Sequence, residues 1–385
     1  MAPGQAVTTA EVLQQAGYAT ALVGKSAPLT DPLQSGFDYF LGQVSQNACH
    51  NMYPEVIDFG NGTGNLDLPL NHKNRSRELC MRNPKLYNYT TDTFQTHALA
   101  WMETHVAAAP AQPFFLYLAF TVPHAGGWGD QAAESGAPVP TDGRYATQIS
   151  WPDVEKDHAG VITYLDGYVG QIMDKIDTLG IANDTVLFFA SDNGAHLEGG
   201  HSYTFFNSTG GLRGHKRSMF EGGVRSPTMV KWPGTIKAGV VSDHPWAFWD
   251  LMPTMAEIAG VARGSIVPSD IDGRSILPTL RGDAQPPPKY VFFTGNNQWG
   301  HDAAAATATV TTATAYSVRS GRWKVVATGC MGIPSSRDMF QLYDLSVDPF
   351  ETTDLSASKK GKKQLDELKA MIAQEEGLSC TCYQC

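Results

Sequence analysis

The chain has 385 residues, enough to bury a large core and to divide into one large and one small domain. Its 28 basic against 38 acidic side chains, formally −10, argue against a protein whose affinity depends on neutralising nucleic-acid phosphates. No segment approaches the roughly 18 apolar residues of a membrane span, and the longest apolar run, residues 113–122, has the length of a buried strand.

In chain order the elements read as α/β. Residues 8–15 form a short helix ending at Gly17, and residues 20–23 a strand leading to Lys25. Residues 49–88 are polar and rich in Asn and Gly, which predicts a long surface excursion. Phe94, Leu99, Trp101, Met102 and Val106 give residues 92–108 a helical spacing, with Thr91 or Asp92 as the cap. A strand over 114–122 ends at Pro123-His124, a second long helix covers 154–179, and the apolar run 186–190 is a buried strand stopping at Ser191-Asp192-Asn193-Gly194. Residues 246–259 suit a helix that tolerates Pro253 only with a kink or a late start. The run Pro286-Pro287-Pro288 predicts a hinge. Beyond it, 290–293, 315–318, 323–326 and 340–343 read as short antiparallel strands and 362–376 as a helix, with Lys359 to Lys363 on its solvated face. Residues 303–315, all Ala, Thr and Val, are expected to be a variable loop.

Three strands thus end in polar groups: Lys25, His124, and Asp192 with Asn193. Alone, each has an ordinary reading as a solvated lysine or a turn. On one edge of one parallel sheet they would meet, because such sheets bind ligands beyond the carboxyl ends of their strands. Lys216 follows about two dozen residues later and would bring a cation to an anion.

The ordered series Ser191-Asp-Asn-Gly-Ala-His-Leu-Glu-Gly-Gly-His201, Phe206-Asn207, Gly211-Leu-Arg-Gly-His-Lys216, Glu221-Gly-Gly-Val-Arg225 and Lys231-Trp-Pro-Gly234 resembles the arylsulfatase branch of the sulfatase family. Gly17-Tyr-Ala-Thr-Ala-Leu-Val-Gly-Lys25 with Gly36-Phe-Asp-Tyr-Phe-Leu-Gly42 is similar to the family's segment downstream of its nucleophile. Ser317-Val-Arg-Ser-Gly-Arg-Trp-Lys324, Leu342-Tyr-Asp-Leu345 and Asp348-Pro349 are similar to its small C-terminal part. The likeness implies an alkaline-phosphatase-like α/β sandwich over 1–285 and a small antiparallel α+β subdomain over 286–385. It implies hydrolysis of sulfate monoesters, with Lys25, His124 and Lys216 at the substrate and Asp192 and Asn193 on one Ca²⁺ or Mg²⁺. It implies a small-molecule or glycan sulfate ester as partner; aryl, steroid, lipid and polysaccharide sulfates all fit. Arg213 and Arg225 are expected to be structural, holding their loops through charge-assisted hydrogen bonds.

The chain departs from the pattern at the nucleophile. It has no Asp-Asp pair and no Cys-x-Pro-Ser-Arg, the motif whose cysteine becomes formylglycine; neither Ser26 nor Cys330 has the required neighbours. Ala27 stands where the family places a histidine that assists sulfate elimination. Ca²⁺ takes six to eight oxygens, more than Asp192 and Asn193 supply. The expectation is an N-terminally incomplete chain, inactive as written and lacking a central strand, so that two strand edges are left unpaired. The alternatives are a phosphomonoesterase or phosphodiesterase of the same superfamily, and a non-catalytic binder of sulfated glycans. Sequons at Asn61, Asn74, Asn88, Asn183 and Asn207 suggest the secretory pathway, and six cysteines are compatible with disulfides, including the tail Cys380, Cys382 and Cys385. Residues 1–17 have neither the basic nor the apolar region of a signal peptide, and nothing in the sequence indicates an oligomeric state.

Overall fold

A computed structural model describes residues 7–27, 29–61, 65–72, 76–128, 136–296, 314–328 and 340–375. Helix α1 (Thr9–Gln15) starts at a capping box, in which the Thr8 hydroxyl accepts from the Glu11 amide at 3.0 Å and the Glu11 carboxylate accepts from the Thr8 amide at 2.6 Å. Its buried Ala10 packs with Leu22 and Phe40, and Val12 with Ala256. Strand β1 (Ala19–Lys25) is buried through its middle, as an unbroken apolar run requires of a central parallel strand. Strand β2 (Tyr39–Gln43) runs parallel to it.

Residues 49–88 correct the expected surface excursion. Strands β3 (Val56–Gly60) and β4 (Asn65–Pro69) extend the sheet as an antiparallel hairpin. Met52, Tyr53 and Cys80, the last in helix α2 (Arg77–Arg82), are buried against Tyr89, Trp128 and Val139. The apolar residues are spaced too widely among Asn and Gly to show a period, yet they converge once the hairpin folds back. Cys49 and Cys80 are buried thiols, so the expected disulfide pairing does not extend to them. Cys330 and the Cys380 to Cys385 tail lie outside the described residues, as do residues 303–313 and sequon Asn74, while Asn61, Asn88, Asn183 and Asn207 are exposed.

Helix α3 (Thr90–Ala108) begins after Tyr89, with no side-chain cap, ahead of the predicted Thr91 or Asp92. Strand β5 (Phe114–Ala119) runs parallel to β1 on the side away from β2, giving the order β4-β3-β2-β1-β5. Helix α4 (Asp153–Thr178) leads to strand β6 (Leu187–Ala190), which pairs antiparallel with β7 (Thr228–Lys231) beyond the short helix α5 (Glu221–Val224). The expectation of one parallel sheet carrying all three strand ends is therefore corrected: β6 and β7 form a sheet of their own. Among the described residues, β5 and β6 each keep one edge outside any ladder. Ile172 and Ile176 of α4 pack on Phe114, Leu116, Leu118 and Leu187, so helix packing rather than a ladder relates the two strands.

Pro253 is accommodated by the late start: a 3₁₀ turn at Phe248–Asp250 precedes helix α6 (Leu251–Ile258), which places the proline in the first turn, where no intrahelical donor is needed. Helix α7 (Leu277–Arg281) precedes the proline run. Strands β8 (Val291–Asn296), β9 (Thr314–Ser320), β10 (Trp323–Thr328) and β11 (Phe340–Asp344) make an antiparallel sheet in the order β11-β10-β9-β8. Helix α8 (Lys359–Glu375) covers it, with Leu365, Leu368 and Ile372 against Tyr316, Val318, Val325 and Leu342. This sheet is tied to the preceding part of the chain by polar bonds. Lys324 Nζ lies 2.9 Å from both Glu221 and Glu351, all three buried, and Arg213 donates to Tyr343 Oη and the Glu351 carbonyl while lying over the Phe220 ring.

Candidate active site

The site is assembled where β1, β5 and β6 end. Gly24 takes a left-handed φ of 118°, and a Cβ there would sit 2.0 Å from the Ala119 carbonyl, so only glycine lets β1 and β5 approach just before Lys25. The Lys25 charge acts on both the Cys49 thiol and the His50 ring. The loop carrying them is pinned by Gln43, whose amide donates to the Ala48 carbonyl at 2.7 Å. The His50 ring stacks on His124 with centroids 4.3 Å apart and planes within 8°. His124 Nδ1 donates to the Ala125 carbonyl at 2.6 Å, and its Nε2 lies 3.4 Å from Glu198 Oε2.

Glu198 is the hub. Lys216 Nζ donates to Oε2 at 3.0 Å, and Arg217 is in ion-pair contact with Oε1. The backbone holding these side chains is interlocked: Lys216 N donates to the Ala195 carbonyl at 2.7 Å, Gly194 N to Gly223 at 2.9 Å, and Gly222 N to Arg213 at 2.7 Å. A Cβ on Gly194 would lie 1.9 Å from the Gly222 carbonyl, so the Asp-Asn-Gly turn and the Glu-Gly-Gly helix start can meet only as glycines. Arg225 pairs with Glu221 at 3.0 Å. Together with the bonds of Arg213, this gives both arginines the loop-holding contacts expected of them.

Electrostatics follow from this crowding. Burial, reinforced by the Lys216 charge, pushes His124 down to about 4. Burial and the charges of Lys25 and Lys216 also lower His50. Burial lowers Lys216 despite its bond to Glu198. Burial works against ionisation of Glu198, but the Lys216 hydrogen bond and charge outweigh it and hold the carboxyl below its usual range. At neutral pH the cleft therefore presents two uncharged imidazoles, a carboxylate and flanking cations.

A second row of rings backs the cleft. His196 lies against the Pro123 carbonyl at 2.9 Å, and His201 Nδ1 lies 2.6 Å from Glu155 Oε2 with both side chains buried. His158 stacks on His201 at 3.7 Å. This row fixes the segment carrying Glu198 onto helix α4.

Asp192 and Asn193 follow β6, as the sequence predicts, with the Asn193 amide donating to the Asp192 carboxylate. Asp192 acts electrostatically on both Lys216 and Tyr117. Their oxygens are of the kind that Ca²⁺ or Mg²⁺ prefers, but two side chains fall short of the six oxygens either ion takes. Among the described residues no group of three or more His, Cys, Asp or Glu side chains could hold a metal. The described residues do not by themselves complete such a site.

Lys25, His124 and Lys216 thus belong to one network of interacting side chains around His50 and Glu198, and Asp192 acts on it electrostatically through Lys216. Sequence reasoning missed His50, Glu198 and Arg217. Glu198 stood inside the diagnostic segment between Asp192 and His201, but it had no partner there until the fold brought Lys216 and His124 to it. His50 carried no sequence signal.

The family model described as Sulfatase matches residues 4–261, and that described as N-sulphoglucosamine sulphohydrolase, C-terminal, matches residues 213–377. N-acetylgalactosamine-6-sulfatase of Mus musculus is 31% identical over 306 residues, which cover 74% of this chain and 51% of that protein. Steryl-sulfatase of Mus musculus is 36% identical over 179 residues, 46% of this chain and 26% of that protein. The chain spans about half the length, or less, of these curated relatives. Two solved structures share its alkaline-phosphatase-like α/β fold. One is a protein in complex with its substrate D-glucosamine-2-N,6-O-disulfate, with TM-score 0.67 and 19% identity over 98% of this chain and 83% of that one. The other is a sulfatase from Pseudoalteromonas sp., with TM-score 0.66 and 20% identity over 98% and 74%. On the strength of a family match that runs through the interlocked segments of this cleft, the chain belongs to the sulfatase family.

Proposed function

We propose that the cleft is a sulfate-ester site of arylsulfatase type, belonging to the large part of the chain, 1–285, with 286–385 as a small C-terminal subdomain. Lys25 and Lys216 would receive the sulfate oxygens, His124 would face the ester, and Asp192 with Asn193 would contribute to a divalent metal site. The observation that carries this reading is the convergence of Lys25, the stacked His50 and His124, and Lys216 at the strand ends. A sulfate monoester brings one negative charge, and its leaving oxygen develops more, so fixed cations and donors lower the barrier to cleavage. Sulfatases generally use a divalent metal and a formylglycine nucleophile. No cysteine of this chain lies in the formylglycine context, so residues 1–385 are expected to bind sulfate esters without turning them over. Four exposed sequon asparagines support a secretory-pathway location.

The test is calorimetric titration with 4-nitrophenyl sulfate. Binding should weaken by about tenfold or more in Lys216→Ala, the scale of one charged hydrogen bond, and no 4-nitrophenol should be released. Unchanged affinity in the variant would remove Lys216 from the site. Release of 4-nitrophenol that tracks the protein through purification would refute the expected inactivity.

A further inference from the structure

The cleft that must attract an anion already contains one. Glu198 engages Lys216 at 3.0 Å and Arg217 by ion pair, and reaches within 3.4 Å of His124. The arrangement is held firmly. The Glu198 amide donates to His196 Nδ1 at 3.1 Å, His196 is anchored on the Pro123 carbonyl, and Arg217 adopts a left-handed φ of 75° that a non-glycine residue rarely takes. Any ester anion drawn to Lys216 must therefore share that cation with a fixed carboxylate a few ångströms away. Coulomb repulsion is linear in the ligand's charge, so the carboxylate penalises a doubly charged ester twice as heavily as a singly charged one. Sulfate monoesters carry one negative charge, whereas phosphate monoesters carry nearly two above neutrality. We propose that Glu198 is a charge selector, making this cleft accept singly charged sulfate monoesters and turn away phosphate monoesters of the same shape. The inference rests on reading the Lys216 cleft as an anion site, and it adds what that reading lacks, a reason for selectivity between two tetrahedral esters.

The test compares 4-nitrophenyl sulfate with 4-nitrophenyl phosphate by calorimetry at about pH 8, where the phosphate ester is dianionic. Glu198→Gln keeps the shape and removes the charge. It should raise affinity for the sulfate ester by about tenfold and for the phosphate ester by about a hundredfold, narrowing the discrimination by about tenfold. Glu198→Asp, which keeps the charge, should retain the wild-type preference and so separates a charge effect from a folding defect. Equal changes for both ligands in Glu198→Gln, or none, overturn the selector. Lys216→Ala run in parallel distinguishes the two levels. If it weakens both ligands while Glu198→Gln leaves their ratio alone, only the selector fails. If it weakens neither, the anion-site reading fails and the selector with it.

Discussion

Replacing Lys324 by Met should cost about 3–5 kcal/mol of unfolding free energy, the scale for breaking a buried ion pair from one side. Lys324 is 1% exposed, and its ammonium sits 2.9 Å from both Glu221 and Glu351, whose side chains are 4% and 0% exposed. Met fills the volume of the aliphatic stem, so the loss is electrostatic rather than a cavity effect. Glu221 retains Arg225 at 3.0 Å, but among the described residues Glu351 retains only the hydrogen bond that its carboxylate accepts from the Glu221 amide at 2.7 Å. The cost therefore falls mainly on Glu351. Burial already pushes its carboxyl up against the pull of Lys324, and without the lysine it should rise further. A carboxyl whose folded pKa lies above its unfolded value contributes stability that is complete below the unfolded pKa and lost as pH rises through the folded one. The deficit of Lys324→Met should thus be larger at about pH 8 than at about pH 5, and Lys324→Met/Glu351→Gln should recover most of it. Urea unfolding at both pH values measures this. A loss below about 1 kcal/mol, or one that neither depends on pH nor responds to the second substitution, would refute the reasoning.

Two further outcomes follow from the packing behind the cleft. His158, pushed down to about 3 by burial and by the neighbouring His201 and His196, lies below its unfolded value of about 6.5, so its stabilising contribution is complete above that pH and is lost as pH falls toward the folded value; His158→Phe, which keeps the stack on His201, should flatten the decline of melting temperature with acid, and parallel curves for the two proteins would count against it. Gly194→Ala forces a Cβ to within 1.9 Å of the Gly222 carbonyl and should cost at least about tenfold in 4-nitrophenyl sulfate affinity by moving Lys216, with far-ultraviolet circular dichroism unchanged; wild-type affinity would mean that the two loops do not depend on each other.

Much of the fold was legible locally. Apolar runs located β1, β5 and β6, helical spacing located α3, and Pro253 implied a kink or a late start in α6, because each of these depends on residues within a few positions of one another. The polar strand ends were visible for the same reason. What stayed hidden needed long-range pairing. Residues 49–88 read as a surface excursion until β3 and β4 folded back onto β2, and β6 read as part of one parallel sheet although its hydrogen bonds go to β7, some forty residues on. The site followed the same rule. Sequence alone named Lys25, His124, Asp192, Asn193 and Lys216 as separate polar groups after strands and turns. Only the tertiary structure placed His50 on His124 and Glu198 between Lys216, Arg217 and His124, because a titratable group's partners and charge state are set by neighbours in space, and these come from loops that the chain order keeps apart.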